Sequence, residues 1–354
     1  MGKTQEKYPF LRACRREPTP YTPIWLMRQA GRYMKEYRNL RKKYSFLEMC
    51  KKPELAAEVT LQPLQTLNVD AAIIFSDILI PLEPMGVGFE FAKGEGPVFH
   101  RPIREIKDVE RLKIMKPEED TPFLMEAIRI VRKELEGKVP LIGFSGAPFT
   151  LASYIIEGGH SKNYLLTKSL MYQERSTWNG LMEKLSEVLI RYLNAQVQAG
   201  VQAIQVFDSW VGCLSPADYE EYVLPYSKKV LNGLRKSVPA IHFGTSTSTL
   251  LPLMKRAGGD VIGVDWRVDL GEAWKRIGYD VGIQGNLDPV VLFGSINLIK
   301  KEVRRILHQA QGRPGHIFNL GHGILPDTPV ENVAALVDMV HEYSSRLNRG
   351  EGKG

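Results

Sequence analysis

Eight short apolar runs constrain the fold of this chain more than any other feature of its sequence. Most are continuously apolar and rich in β-branched residues, which is typical of strands buried on both faces of a parallel sheet. Polar or small residues follow each run. The runs are residues 23–26, 71–75, 140–144, 203–207, 240–243, 261–264, 281–283 and 316–320.

Amphipathic stretches with a helical period lie between most of these runs, for example residues 181–197 and 297–309. Eight strands that alternate with helices match the strand count of a TIM-type (β/α)8 barrel, and one such barrel commonly occupies a chain of 354 residues. We therefore predict an α/β fold with a single barrel domain over residues 1–354 and short flexible termini. Segment 91–122 is too long for a simple loop and is expected to hold a strand pair or a lid.

An open doubly wound sheet is the main alternative to the barrel. Such a sheet usually carries a glycine-rich phosphate-binding turn directly after its first strand. The GVG at residues 86–88 and the GEG at residues 94–96 do not lie in a strand–turn–helix pattern, and GxxxxGK[ST] does not occur. These observations favour the barrel.

The charge of the chain is mildly positive and unevenly distributed. The sequence has 47 Lys and Arg against 40 Asp and Glu, a net charge of +7, which does not by itself separate nucleic acid from acidic small molecules as ligands. Between residues 28 and 43 a single acid, Glu36, stands among seven basic residues. These are Arg28, Arg32, Lys35, Arg38, Arg41, Lys42 and Lys43. This segment predicts a site for a small molecule with several carboxylates.

Other features of the composition point to a cytoplasmic protein that does not enter a membrane. The three cysteines, Cys14, Cys50 and Cys213, are far apart, which argues against a disulfide framework or a CxxC site. The first twenty residues lack the apolar region of a secretory signal. No apolar run approaches the ~18 residues that a membrane span needs.

The barrel prediction also locates the active site, because active sites of such barrels lie at the C-terminal ends of the strands. Polar residues that directly follow the runs should therefore meet at one mouth of the barrel. They are Arg28, Asp77, Ser145, Asp208, Ser209, Thr245, Asp265, Asn286 and His322.

Arg28 and Arg32 are the strongest candidates for ligand binding within this set. If the segment is helical, residues four apart share one face, and each guanidinium can grip a carboxylate through two hydrogen bonds. Gly31 between them permits a positive φ or a close approach of the backbone to a ligand. The alternative is a solvated basic turn, which the position after the first run makes less attractive.

Four further side chains are candidates, each with a structural alternative. Asp77 is an acid in an apolar context that needs an arginine, N–H donors or a ligand as partner, and it could be a structural residue paired with arginine. His322 stands between two glycines and could equally be a structural histidine. Tyr154 offers a phenol or anchors a helix. Ser209 donates to a carboxylate or caps the next helix.

Metal and covalent chemistry have no local signature in the sequence. The histidines form no HExxH motif or Cys/His cluster, no GxSxG elbow occurs, and none of the eight runs ends in a lysine that could form a Schiff base. We expect polar recognition with acid–base assistance and neither a metal nor a cofactor. The histidines are at positions 100, 160, 242, 308, 316, 322 and 341.

Several separate motifs follow one another along the chain. The first is WLMRQAGRY at residues 25–33, and the others are FSD at 75–77, GFSGAPFT at 143–150, FDSW at 207–210, QGNLD at 284–288 and NLGHG at 319–323. In this order they resemble the motifs of the uroporphyrinogen decarboxylase family, and WLMRQAGRY resembles that family's N-terminal signature. The resemblance covers essentially the whole chain.

The resemblance implies a cofactor-free barrel, usually a homodimer, that removes CO₂ from the four acetate side chains of uroporphyrinogen to give coproporphyrinogen. It implies no nucleic-acid or membrane partner. The implied substrate-binding residues are Arg28, Gln29, Ala30, Gly31, Arg32, Asp77, Tyr154, Ser209 and His322, and the implied catalytic residues are Arg28, Arg32, Asp77, Tyr154 and His322. Asp77 matches the aspartate that is thought to bind the pyrrole N–H groups.

Two other functions remain compatible with the sequence. Methyltransferases of the same superfamily, which act on corrinoid or thiol substrates, use a related barrel with zinc held by His and Cys. A non-catalytic tetrapyrrole-binding protein is the other alternative. Bound zinc would favour the methyltransferases, and CO₂ release would separate an enzyme from a binding protein.

Overall fold

A computed structural model describes residues 7–92 and 96–348 of the chain. The predicted flexible termini fall mostly on residues 1–6 and 349–354, which lie outside the described residues. The last described residue, Asn348, ends a helix.

A curled parallel sheet organises the molecule. The strands are β1 (Ala72–Ile73), β2 (Phe89–Ala92), β3 (Gly96–Phe99), β4 (Leu141–Gly146), β5 (Ala203–Asp208), β6 (Ala240–Gly244), β7 (Val261–Gly263), β8 (Gly282–Gln284) and β9 (His316–Ile317). Within the described residues, seven of them form one sheet in the order β1-β4-β5-β6-β7-β8-β9, and each pair is parallel. Every residue of β4 and of β6 is buried, as continuous apolar runs predict.

The predicted first strand, residues 23–26, is wrong as a strand. Only Ile24 forms a bridge, a parallel one to Phe318. Two of the backbone donors that follow are bonded to side chains: Leu26 N donates to Gln29 Oε1 at 3.0 Å and Met27 N donates to Asn319 Oδ1 at 3.1 Å. A ladder cannot continue where its N–H groups are already bonded elsewhere.

Helices fill most of the connections between the strands. They are α1 (Pro9–Cys14), α2 (Lys35–Arg41), α3 (Phe46–Lys51), α4 (Pro53–Thr66), α5 (Ile106–Glu110), α6 (Pro117–Asp120), α7 (Pro122–Glu134), α8 (Pro148–Glu157), α9 (Leu165–Gln173), α10 (Arg175–Ala199), α11 (Pro216–Asp218), α12 (Leu224–Gly233), α13 (Leu251–Ala257), α14 (Leu270–Ile277), α15 (Ile296–Ala310) and α16 (Val330–Asn348). Short 3₁₀ segments lie at Ile80–Leu82, Val211–Cys213 and Pro289–Phe293, and a π-helical turn at Tyr219–Val223. The helices predicted at 181–197 and 297–309 are confirmed by α10 and α15.

Segment 91–122 contains a strand pair in its first part. β2 and β3 pair antiparallel, with Phe89 opposite Phe99. Residues 93–95, which connect them, lie outside the described residues. No helix within the described part of the chain is long and apolar enough to cross a membrane.

A separate apolar cluster fills the concave side of the sheet. It takes alternate strand residues, as in β6, where Ile241 and Phe243 belong to it while Ala240 belongs to the larger outer core. Helix α1 adds Phe10 and Leu11 to this cluster. Its members on the strands and on the segments beside them are Trp25, Met27, Ala71, Ile142, Ala203, Ile241, Phe243, Val261 and Ile317.

Helix α1 covers one end of the sheet and leaves the other end for a site. A Cβ added at Gly315, which directly precedes β9, would lie 2.8 Å from Cγ of Arg16, just beyond α1. The helix therefore lies at the N-terminal end of β9. The C-terminal ends of the strands and the loops that follow them, called the mouth below, face away from α1.

Candidate active site

The Arg28–Arg32 segment is a series of turns at the mouth and not a helix. Residues 27–33 have no helical assignment, and Arg28 has a φ of 60°. The buried Gln29 fixes the segment, because its Oε1 accepts from Leu26 N and its Nε2 donates to Ala71 O at 3.1 Å. Both arginines are exposed. The condition for a shared helical face is therefore not met, but both guanidiniums are exposed at the mouth.

Two glycines shape the surroundings of Arg28. A Cβ added at Gly31 would lie 3.0 Å from the Arg28 carbonyl oxygen, so the turn closes tightly there. A Cβ at Gly323 would lie only 2.6 Å from Cγ of Arg28. The Arg28 side chain thus lies directly against the loop that carries His322. Ala30, which stands between Arg28 and Gly31 in the sequence, is half-buried.

The Arg28 and Arg32 guanidiniums are not neutralised by the protein. Among the described residues, neither forms an ion pair within 4.0 Å, and neither guanidinium donates to a protein acceptor. Unpaired positive charge at a strand end attracts anionic groups. The segment can therefore bind carboxylates without first breaking internal ion pairs.

Asp77 follows β1 and is half-buried. Its Oδ1 accepts a hydrogen bond from Leu79 N at 2.8 Å, and it forms no ion pair among the described residues. Burial raises the pKa of Asp77 to about 6, although the Leu79 hydrogen bond and the charge of Arg28 both lower it. Asp77 is therefore not the arginine-paired structural aspartate that was the alternative. Asp77 is an anion above about pH 6 in a position where a cation would be stabilised.

Tyr154 lies on α8, the helix that follows β4. Pro148 begins this helix and Gly158, with a φ of 83°, ends it. The Tyr154 ring packs edge-on against Trp210 with centroids 5.6 Å apart, and the Trp210 side chain donates a hydrogen bond to it. Burial, assisted by the negative charge of Asp77, raises the pKa of Tyr154 to about 12. The phenol is therefore a protonated donor at neutral pH.

His322 is half-buried in the loop that follows β9. Burial lowers its pKa, and the positive charge of Arg28 lowers it further, while a hydrogen bond with the Gly323 backbone acts in the opposite direction. The imidazole is therefore neutral at pH 7. A neutral imidazole can donate through one nitrogen and accept through the other.

Ser209 directly follows β5 and is half-buried. It does not cap the next helix, because Ser215 caps α11 by accepting from Asp218 N. Its carbonyl oxygen accepts from Thr245 Oγ1 at 2.6 Å, which ties the loops after β5 and β6 together. Its neighbour Trp210 contacts Tyr154.

Two members of the expected strand-end set point away from the mouth. Phe207 packs against the inner cluster, so Asp208, the next residue, faces the helices. There Asp208 accepts from Thr150 Oγ1 at 3.2 Å and lies 3.6 Å from His242. Ser145 is also fully buried, and its register partner Val206 is in the outer core. These two residues are therefore not part of the mouth.

The other expected residues of the β7 and β8 loops have structural contacts. Asn286 Nδ2 donates to the carbonyl oxygens of Asp265 and Val268 at 2.8 and 2.6 Å. The buried Asp265 accepts from Ser246 N at 2.7 Å and pairs with Arg267 at 2.5 Å. Sequence reasoning missed Arg267, which stands four residues beyond β7. A single basic residue in an otherwise acidic strand-end loop is the sequence feature that could have identified it.

The charge of Arg28 connects the candidates. It lowers the pKa values of Asp77, Tyr154 and His322, so these groups lie within electrostatic reach of one guanidinium. The site thus combines exposed cations, one half-buried carboxylate and two neutral donors. Among the described residues, no group of three or more His, Cys, Asp or Glu side chains is placed to hold a metal ion.

Comparisons with known sequences agree on one family. The sequence matches the family model described as uroporphyrinogen decarboxylase over residues 5–343. A protein of that name from Carboxydothermus hydrogenoformans is 63% identical over 337 residues, which cover 95% of this chain and 96% of that protein. Another from Sorangium cellulosum is 59% identical over 343 residues, covering 97% and 98%.

Solved structures resemble the chain in fold. A methyltransferase from Methanosarcina mazei superposes with a TM-score of 0.79 at 21% identity, covering 95% of this chain and 98% of that one. A B12-independent methionine synthase from Shewanella superposes with a TM-score of 0.57 at 12% identity, covering 85% and 91%. At these identities the similarity shows the fold alone.

Proposed function

The chain belongs to the uroporphyrinogen decarboxylase family, and we propose that it removes CO₂ from the four acetate side chains of uroporphyrinogen, giving coproporphyrinogen for tetrapyrrole biosynthesis. The observation that carries this proposal is the half-buried Asp77, held beside the unpaired charge of Arg28 at the mouth. A substrate with eight carboxylates and four pyrrole N–H groups needs cations around one central anion. The exposed Arg28 and Arg32 and the half-buried Asp77 support this proposal.

The proposed scaffold is one closed barrel in which the segment around Ile24 takes the eighth strand position. Phe318 N donates to Pro23 O at 2.8 Å, and Asp70 N donates to Ile24 O at 2.7 Å. The segment therefore bonds to the chain at β9 on one side and to the residues before β1 on the other. Closure removes the two open edges that a seven-stranded sheet would expose.

Substrate carboxylates bind the turn segment in this proposal. Arg28 and Arg32 grip carboxylates, and Gln29, Ala30 and Gly31 provide the tight backbone that displays both guanidiniums. The Tyr154 phenol, the Ser209 hydroxyl and the neutral His322 ring complete the polar contacts. The Asp77 carboxylate accepts hydrogen bonds from the pyrrole N–H groups.

The pyrrole ring itself serves as the electron sink for decarboxylation. A proton added to a ring carbon creates a cationic iminium, and the electrons of the breaking C–C bond flow into it as CO₂ leaves. The exocyclic methylene that results takes up one proton and the ring carbon loses one, so each step consumes one proton and produces one methyl group. Asp77, ionised above about pH 6, stabilises the cationic ring. This chemistry requires neither metal nor cofactor.

We further propose that the protein acts in the cytoplasm as a homodimer. The cysteines are free, with Cys14 and Cys50 buried, which suits a reducing compartment. Val290, Phe293, Ile296 and Leu298 expose apolar side chains along one short stretch near the end of β8. Such a patch is typical of surfaces that another protein covers. Light scattering during gel filtration would distinguish a dimer near 80 kDa, twice the 40.0 kDa chain, from a monomer.

The function is tested by anaerobic incubation of the purified protein with uroporphyrinogen. We expect about four CO₂ per substrate, with coproporphyrinogen as the final product. Arg28→Ala and Arg32→Ala should bind the substrate more weakly, whereas Arg191→Ala on α10, which removes an exposed arginine paired with Glu187, should not. No CO₂ release from the parent protein would overturn the proposed activity, and unchanged binding in both variants would reassign carboxylate recognition.

A further inference from the structure

Arg267 is the only Lys or Arg in the four loops that follow β5, β6, β7 and β8. These loops are residues 209–215, 245–250, 264–269 and 285–295. The arginine pair of the proposed substrate site lies elsewhere on the mouth, in the segment next to β1 and β9. A ring-shaped substrate carries carboxylates around its whole edge, and Arg267 is the one basic residue that these four loops themselves can offer to them.

Contacts with Asp265 and Trp266 hold the Arg267 side chain in place. Asp265 Oδ2 accepts from the Arg267 guanidinium at 2.5 Å and from Ser246 N at 2.7 Å, and Asp265 Oδ1 accepts from Arg267 N at 3.2 Å. The guanidinium also stacks on the Trp266 ring, 4.2 Å from its centroid. The burial of the Asp265 carboxylate is compensated by its two backbone donors. Its contact with Arg267 therefore serves to orient the guanidinium.

Arg267 keeps donors available after these contacts. Its side chain is 49% exposed, while Asp265 is buried. Apart from Asp265, the guanidinium donates to no protein acceptor in the described part of the chain. A guanidinium has five N–H donors in a planar fork, so most of them have no acceptor among the described residues.

The position of Arg267 relative to the proposed site follows from the neighbouring loops. A Cβ added at Gly321 would lie 2.6 Å from Trp266 N, so the loop after β7 touches the loop that carries His322. The charge of Arg267 also lowers the pKa of His322, as that of Arg28 does. Arg267 and Arg28 therefore both lie within electrostatic reach of His322, from two different loops.

We propose that Arg267 is a specificity-determining residue that binds a substrate carboxylate on the side of the mouth formed by the loops after β5 to β8. This proposal rests on the proposed function for the identity of the substrate. Arg267 should bind the ground state and the transition state equally well. The carboxylate that it holds does not react while another acetate side chain loses its CO₂. Arg267 therefore acts on KM and on binding affinity, with little effect on kcat.

The test uses Arg267→Gln and Arg267→Lys, with Arg313→Gln as the matched control. Arg313 also stacks on an aromatic ring, that of Tyr279 at 4.5 Å, but it precedes β9 and so lies at the end opposite the mouth. Binding is measured with uroporphyrin, the stable oxidised form that retains all eight carboxylates, by fluorescence at low and high salt. KM and kcat are measured with uroporphyrinogen under anaerobic conditions.

We expect Arg267→Gln to weaken uroporphyrin binding and to raise KM roughly tenfold at low salt, the usual effect of losing one charge-assisted hydrogen bond, with kcat within about twofold. The effect should shrink at high salt, Arg267→Lys should restore most of the affinity, and Arg313→Gln should match the parent. Unchanged binding and KM in Arg267→Gln, or an equal loss in Arg313→Gln, would overturn the proposal. If the parent released no CO₂ but its uroporphyrin binding depended on Arg267, the proposed reaction would fail while this role would stand.

Discussion

Replacing Asp77 with Asn should make the folded protein more stable at pH 8. Burial raises the pKa of this carboxyl from an ordinary value of 3.8 to about 6. The folded state then binds the Asp77 proton more tightly than the unfolded state does. The contribution of Asp77 to the free energy of unfolding therefore falls as pH rises from about 4 to about 6 and stays lower above that range.

The size of the effect follows from the shift. About two pKa units correspond to about 3 kcal/mol at pH 8, and to roughly half of that at pH 5, where the folded-state carboxyl is mostly protonated. An asparagine carries no charge and avoids this cost, but it accepts the hydrogen bond from Leu79 N less strongly than a carboxylate. We expect a net gain of about 1–3 kcal/mol at pH 8 and a smaller gain at pH 5.

Urea denaturation followed by tryptophan fluorescence at both pH values measures this gain. Asp280→Asn is the control, because Lys255 lowers the pKa of that exposed carboxyl, and its replacement should not stabilise the protein. Equal or lower stability of Asp77→Asn at pH 8 would refute the reasoning that burial holds this carboxylate at a cost in stability.

Three further predictions concern activity. In the pH–rate profile, kcat/KM should fall as pH drops through about 6, where Asp77 becomes protonated. Arg28→Gln should shift this fall to higher pH, because Arg28 lowers the pKa of Asp77, and an unshifted profile would contradict the assignment. Gly323→Ala should raise KM by displacing the Arg28 side chain, whereas Gly180→Ala on α10, where a Cβ meets only ordinary contacts at 3.5 Å or more, should leave KM unchanged. Tyr154→Phe should lower kcat, because it removes a hydrogen-bond donor, and a Phe variant with parental kcat would show that Tyr154 takes no part in the chemistry. The parent should lose no activity through ionisation of Tyr154 up to about pH 10, since the pKa of Tyr154 is about 12.

Strand positions could be predicted from sequence because the buried runs are continuous and end in polar residues. The direction of each side chain could not, because a strand that is apolar on both faces shows no alternation. This is why Asp208 and Ser145 were placed at the mouth although both face the helices. The family motifs do not separate the two faces either.

The backbone at residues 23–26 shows a second limit of sequence reasoning. The run is apolar and suits a strand, but Gln29 and Asn319 take the N–H groups of Leu26 and Met27. The Asn319 contact joins residues 292 positions apart, which no local pattern reveals. Arg267 was missed for a similar reason, since its position at the mouth depends on contacts between the loops after β7 and β9.

The central claim is that the ionised Asp77 stabilises a cationic pyrrole while the arginines hold the carboxylates. It is tested most directly by single-turnover CO₂ release from uroporphyrinogen with Asp77→Asn, together with uroporphyrin binding by the same variant. We predict near-parental binding, because Arg28 and Arg32 still hold the carboxylates and the Asn carbonyl oxygen still accepts from N–H groups. We also predict a loss of at least roughly 100-fold in the rate of CO₂ release, because the negative charge is gone. Coproporphyrinogen formation by Asp77→Asn at close to the parental rate would contradict the account.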